Sequence, residues 1–168
     1  ERMEPASITK LMTAYVVFSE LSSGKLTLDQ TVPVSEAAWR SEGSRMFIDP
    51  TMQVSVQDLL RGMVIQSGND ASVALAEFAA GTEQAFAELM NHFAEQLGMR
   101  DTHFMNATGL PHPEHYTTAS DVATFSESTP GAIGTRTRWS AASSVAGDSP
   151  GPSAPTTSAT GASSSPSA

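Results

Sequence analysis

The chain contains no cysteine, which excludes disulfide staples, thiol nucleophiles and thiolate metal ligands. Lysine is nearly as scarce. Lys10 and Lys25 are the only two, so no lysine-led motif can stand beyond residue 25. Positive charge is short overall, with 9 Lys and Arg against 18 Asp and Glu and a net charge of −9. That acidic excess lies within residues 1–125, and no basic stripe offsets it. Such a surface repels a phosphate backbone, so nucleic acid is not an expected partner. No apolar run approaches the roughly 20 residues that a membrane span needs. No basic stretch followed by an apolar one marks a signal peptide, and no repeat period runs along the chain.

What is present divides in two. The 168 residues are 39% hydrophobic, enough for one domain of ordinary size, but the large apolar side chains fall almost wholly in residues 1–125. Residues 126–168 are a low-complexity run of Ser, Ala, Thr, Pro and Gly without apolar periodicity. Such a segment cannot offset the roughly 1–2 kcal/mol per residue that ordering a backbone costs. It is expected to be disordered from about residue 128. The abrupt change near Phe125 is the product that a reading-frame shift in a GC-rich gene would give.

Within 1–125 the pattern is helical. Pro5 suits a first helical turn, and Ile8, Leu11, Met12, Tyr15 and Phe18 follow at helical spacing until Ser22-Ser23-Gly24. Residues 26–54 read as an irregular connection with short extended pieces such as Thr31 to Val34. Ser55 with Asp58 forms a capping-box pattern ahead of a helix whose buried face is Leu59, Leu60, Met63 and Val64, ending near Gln66. A third helix is predicted from about Asp70 to Ala80. A fourth is capped by Thr82, with Phe86, Leu89, Met90, Phe93 and Leu97 on one side and Gly98 as its stop. Thr118 with Asp121 begins one further turn.

Two segments carry chemistry. Ser7-Ile8-Thr9-Lys10 fits S-x-x-K, which sets a hydroxyl and an amine on one helical face within reach of each other. A serine hydroxyl needs a base to take its proton, and a lysine whose charge is disfavoured by burial can be that base. At the start of a helix the unpaired N–H groups also favour developing negative charge, and the Ser7 N–H can form half of an oxyanion hole. A second match, Ser22-Ser23-Gly24-Lys25, falls at an expected helix end and lacks fixed geometry. Ser67-Gly68-Asn69 lies at a predicted junction between helices, where Ser67 could relay a proton and Asn69 bind a substrate amide; a turn with an Asn cap is the simpler structural role. His112-Pro113-Glu114-His115, with His103 nearby, reads as a surface loop rather than a metal site, because the proline breaks helical ligand geometry.

In combination these segments resemble the serine D-alanyl-D-alanine carboxypeptidases, the S11-type low-molecular-mass penicillin-binding proteins, a family that joins S-x-x-K to S-x-N and K-T-G. The likeness extends through Pro5 to Thr13, Ser44-Arg45-Met46-Phe47, Leu60-Arg61-Gly62, Gln66 to Ala71, Phe78 to Gly81, Leu97-Gly98-Met99, Thr102-His103-Phe104 and Thr108-Gly109-Leu110. It covers about residues 1–125, and residues 37–53 correspond to a loop beside the active site. The resemblance implies a fragment of the α+β transpeptidase-like fold shared by β-lactamases and penicillin-binding proteins, mainly helical in the part present. It implies Ser7 as the acylated nucleophile, Lys10 as proton acceptor, Ser67 as an assisting catalytic residue and Asn69 in substrate binding. No cofactor or metal is expected. The implied partners are a peptidoglycan stem peptide ending in D-Ala-D-Ala and β-lactams as covalent inhibitors, in the bacterial periplasm or cell envelope.

Two departures qualify this. K-T-G cannot occur, since Thr108-Gly109 and Thr160-Gly161 both follow alanine. The family's strands ahead of S-x-x-K also have no counterpart in the six residues before Ser7. A catalytically inactive truncated homologue, or a D,D-endopeptidase, is therefore the alternative reading. The middle motif disfavours a class A β-lactamase, since Gly68 stands where that class has Asp.

Overall fold

The computed structural model describes residues 1–129; the expected Ser/Ala-rich tail and its frame-shift origin otherwise lie outside the described residues. Helices dominate, as expected. A 3-10 turn at Ala6–Ile8 leads into α1 (Thr9–Ser22), followed by α2 (Glu36–Trp39), α3 (Val56–Gln66), α4 (Asn69–Ala80), α5 (Glu83–Gln96) and α6 (Ala119–Ser128). Strands among the described residues are two-residue pairs. β1 (Arg2–Met3) runs antiparallel to β4 (Thr117–Thr118), and β2 (Thr31–Val32) antiparallel to β3 (Val54–Ser55), with Arg2 opposite Thr118 and Val32 opposite Val54.

Capping residues set most helix starts. The Ser55, Thr82 and Thr118 hydroxyls accept the N–H groups of Asp58, Ala85 and Asp121, satisfying donors that a first turn leaves unpaired. The Asp58 carboxylate accepts from the Ser55 hydroxyl at 2.7 Å rather than from its backbone N–H. α2 was not expected. Its four residues are too few to show helical periodicity, and its signal is the Ser35 hydroxyl accepting the Ala38 N–H at 3.0 Å. α6 makes a full helix of ten residues rather than one turn and ends at Ser128.

α4 is the central helix. Every residue from Asn69 to Ala76 is buried, and the small side chains of Ala71, Ser72, Ala74 and Ala76 allow close approach by α1, α2, α3 and α5. Around it pack Met12, Val16 and Val17 from α1, Leu59, Leu60 and Met63 from α3, and Phe86 and Met90 from α5. The Tyr15 ring meets those of Phe93 and Phe125 edge-on, with centroids 5.5 and 5.8 Å apart. Two expectations need correction. Val64 is half exposed, because the inner face of α3 is formed by Val56, Leu59, Leu60, Gly62 and Met63. Ile8 and Leu11 also lie outside the core, bordering a shallow groove with Met99, Val122 and Phe125.

Candidate active site

Pro5 and Ala6 place Ser7 in the 3-10 turn, one step ahead of the α-helix. Ala6 adopts φ 46°, a left-handed conformation uncommon for a residue with a Cβ, and Ser7 beside it is exposed. Ser67, the C-terminal residue after α3, is also left-handed at φ 55°. These two bends meet. The Ser67 hydroxyl donates to Ser7 Oγ at 3.1 Å across sixty residues of sequence.

Lys10 is buried on the inner side of α1, and its ammonium donates to the Thr108 carbonyl at 2.6 Å. Burial pulls its pKa from 10.5 down to about 8, since desolvation penalises the charged form. Among the described residues no hydrogen bond joins Lys10 to Ser7. The second S-x-x-K copy is structural: Lys25 pairs with the Glu20 carboxylate at 3.0 Å, and Gly24 provides a left-handed turn at φ 78°.

Asn69 is buried at the start of α4. Its side-chain nitrogen donates to the Glu42 carbonyl at 2.6 Å and its backbone N–H to the Ser44 carbonyl at 2.7 Å, so it fastens the loop beside Ser67. Asp70 extends that fastening. Its fully buried carboxylate accepts the N–H groups of Met46 and Ile48 at 3.0 and 3.2 Å, flanking Phe47 at φ 64°.

The segment from Met105 to Gly109 closes the other side. Thr13 donates to the Ala107 carbonyl at 2.8 Å, and Glu83 on α5 accepts the Ala107 N–H at 3.0 Å. Burial, with Glu77 nearby, pushes the Glu83 carboxyl above its ordinary value. Asn106 Oδ1 accepts from the N–H groups of Thr108 and Gly109, shaping the turn. Sequence reasoning missed this segment's role, and it missed His115. The loop reading suits Pro113 and Glu114, which are exposed, but His115 turns inward and is only 2% exposed. Its Nε2 lies 2.8 Å from Thr9 Oγ1, and its Nδ1 accepts the Met105 N–H at 3.0 Å. The other two rings are engaged locally, His103 Nδ1 with the Glu114 carbonyl and His112 Nδ1 with the Glu114 N–H.

Burial, assisted by the charges of His112 and His103, lowers the His115 pKa from 6.5 to about 4. In that interval the unfolded ring takes up a proton that the folded ring refuses. The contribution of His115 is therefore complete above 6.5 and declines as pH falls, by about 3 kcal/mol at most near pH 4. Denaturant midpoints between pH 7 and pH 4.5 should fall in the native chain, and less steeply in His115→Gln.

The family model for D-alanyl-D-alanine carboxypeptidases matches residues 1–133. The chain belongs to this family. The carboxypeptidase DacF of Bacillus subtilis is 44% identical over 123 residues, which are 73% of this chain and 32% of that protein. Among solved structures, the carboxypeptidase DacD of Francisella tularensis has 48% identity and a TM-score of 0.75, covering 79% of this chain and 33% of that one. Penicillin binding protein 6B of Escherichia coli has 42% identity and a TM-score of 0.73, covering 77% and 43%. The fold is thus the helical portion of that family's architecture. The chain spans about a third of the length of the curated relatives it matches.

Proposed function

We propose that residues 1–125 form the acylating part of a serine D-alanyl-D-alanine carboxypeptidase acting on peptidoglycan stem peptides in the bacterial cell envelope. The observation that supports this best is the 3.1 Å hydrogen bond from Ser67 to Ser7, beside a lysine whose pKa burial has lowered to about 8. Ser7 Oγ attacks the carbonyl carbon of the terminal D-Ala-D-Ala amide. Its proton passes to Lys10, and Ser67, whose hydroxyl donates towards Ser7 Oγ, relays a proton on to the leaving nitrogen. The C–N bond breaks, free D-alanine departs, and water hydrolyses the Ser7 ester. The Ser7 N–H supports the developing oxyanion. Asn69, whose amide nitrogen is held by Glu42, offers its oxygen to the substrate amide. A β-lactam carbonyl presents the same electrophile and leaves the ring-opened acyl group on Ser7. The tail from residue 126, read as a frame-shift product, is tested by the coding DNA: a shifted frame should restore a lysine-led T-G and apolar strands.

A fluorescent penicillin should label the native chain and fail to label Ser7→Ala, and a peptide ending in D-Ala-D-Ala should release D-alanine. A folded chain that neither labels nor turns over would favour the inactive-homologue reading. Release of larger fragments would favour the endopeptidase. Since Lys10 must be neutral to accept a proton, and only about a tenth of it is neutral at pH 7, the labelling rate should rise with pH through a midpoint near 8.

A further inference from the structure

The acyl-transfer scheme leaves the buried His115 ring without a role. Its two nitrogens nevertheless have defined partners. A backbone N–H can only donate, so the Met105 N–H at 3.0 Å requires an unprotonated Nδ1. A neutral ring then carries its proton on Nε2, which donates to Thr9 Oγ1 at 2.8 Å. Thr9 is fully buried and immediately precedes Lys10.

Three inward side chains of α1 therefore hold one segment of the loop. Lys10 reaches the Thr108 carbonyl and Thr13 the Ala107 carbonyl directly, while Thr9 reaches Met105 only through the imidazole. The same segment presses Gly109 against the Ala6 carbonyl, next to Ser7. We propose that His115 is a positioning residue for the Ser7–Lys10 site, its Nε2–H tautomer tying Thr9 to Met105 and thereby setting the segment whose Thr108 carbonyl receives Lys10. The ring also packs edge-on against Phe104, with centroids 5.8 Å apart. That contact would survive replacement by phenylalanine, whereas both hydrogen bonds would not. Glutamine retains one acceptor and one donor.

The titratable groups around the ring are His112 and His103 on its own loop, Lys10 on α1, and Glu83 of α5 through Ala107. Lys10 supplies a readout beyond folding, because burial is what lowers its pKa. A loosened segment admits water and moves Lys10 back towards an ordinary lysine.

This inference rests on the acyl-transfer reading for its consequence, and its test separates the two. The ring nitrogens of the native chain are observed by NMR at pH 7, and Lys10 is titrated by NMR in the native chain, His115→Phe, Thr9→Val and His115→Gln. Expected are an Nε2–H ring and a Lys10 midpoint raised by about one pH unit in the Phe and Val variants. Their penicillin labelling at pH 7.5 should be about tenfold slower. The Gln variant should keep both properties within about threefold. An Nδ1–H ring, an unmoved Lys10 midpoint in a folded His115→Phe or Thr9→Val chain, or a midpoint in His115→Gln raised as far as in those variants would each overturn the positioning role. If the native chain takes no label, the Ser7 reading fails, while the ring tautomer and the Lys10 midpoint still decide the role of His115.

Discussion

Gly109→Ala is expected to destabilise the chain by about 3–5 kcal/mol and to abolish labelling at Ser7. A Cβ at this position would lie 1.8 Å from the Ala6 carbonyl oxygen and 2.4 Å from its carbon. Both are backbone atoms, which cannot rotate out of the way as a side chain would. The φ of 86° adds about 1 kcal/mol for any residue with a Cβ. Relief requires Ala6 to move. Ala6 is already held at φ 46° and is bonded to Ser7, so the nucleophile moves with it. Gly24 and Gly81 provide the control, because they have similar φ values of 78° and 87° with nothing within 4 Å of an added Cβ. Alanine at either should cost only the backbone term, about 1 kcal/mol, and leave labelling intact. Denaturant unfolding and fluorescent-penicillin labelling of the three variants separate clash from backbone preference.

Asp70→Ala is expected to cost about 3–5 kcal/mol by the loss of a different anchor. The fully buried carboxylate accepts the N–H groups of Met46, Ile48 and Ala71. Its removal leaves three donors without a partner in a site where water has little access. The first two donors hold Phe47 in its left-handed conformation and keep the loop against Asn69. Hydrogen exchange of the Met46 and Ile48 amides should rise with the loss of stability, and labelling should slow because Asn69 loses its neighbour. Unchanged exchange at those two amides would show that the carboxylate is not their anchor.

The sequence was most informative where a physical signal is local. Ser55 and Thr118 could be read as caps because an acidic residue follows each hydroxyl by three positions, and Thr82 because it stands between the Gly81 stop and an apolar helical face. Ser7 and Ser67 could be paired only through the family resemblance, since no periodicity links residues sixty apart. Val64 illustrates the limit of periodicity: an apolar residue can match the helical pattern and still lie outside the arc that faces α4. The role of His115 was hidden because a histidine beside prolines in a polar stretch has the composition of a surface loop. Only the folded arrangement shows Thr9 and Met105 as its partners. Gly109 gave no local warning either, since its constraint comes from Ala6, more than a hundred residues earlier.

The central claim is that Ser7 is the nucleophile and that Ser67, its hydrogen-bonding neighbour, is not. Incubation with a penicillin followed by proteolysis and mass spectrometry tests this most directly. One acyl adduct is predicted, on the peptide carrying Ser7, with unmodified Ser67 and no adduct in Ser7→Ala. An adduct on Ser67, or acylation that persists when Ser7 is alanine, would contradict it.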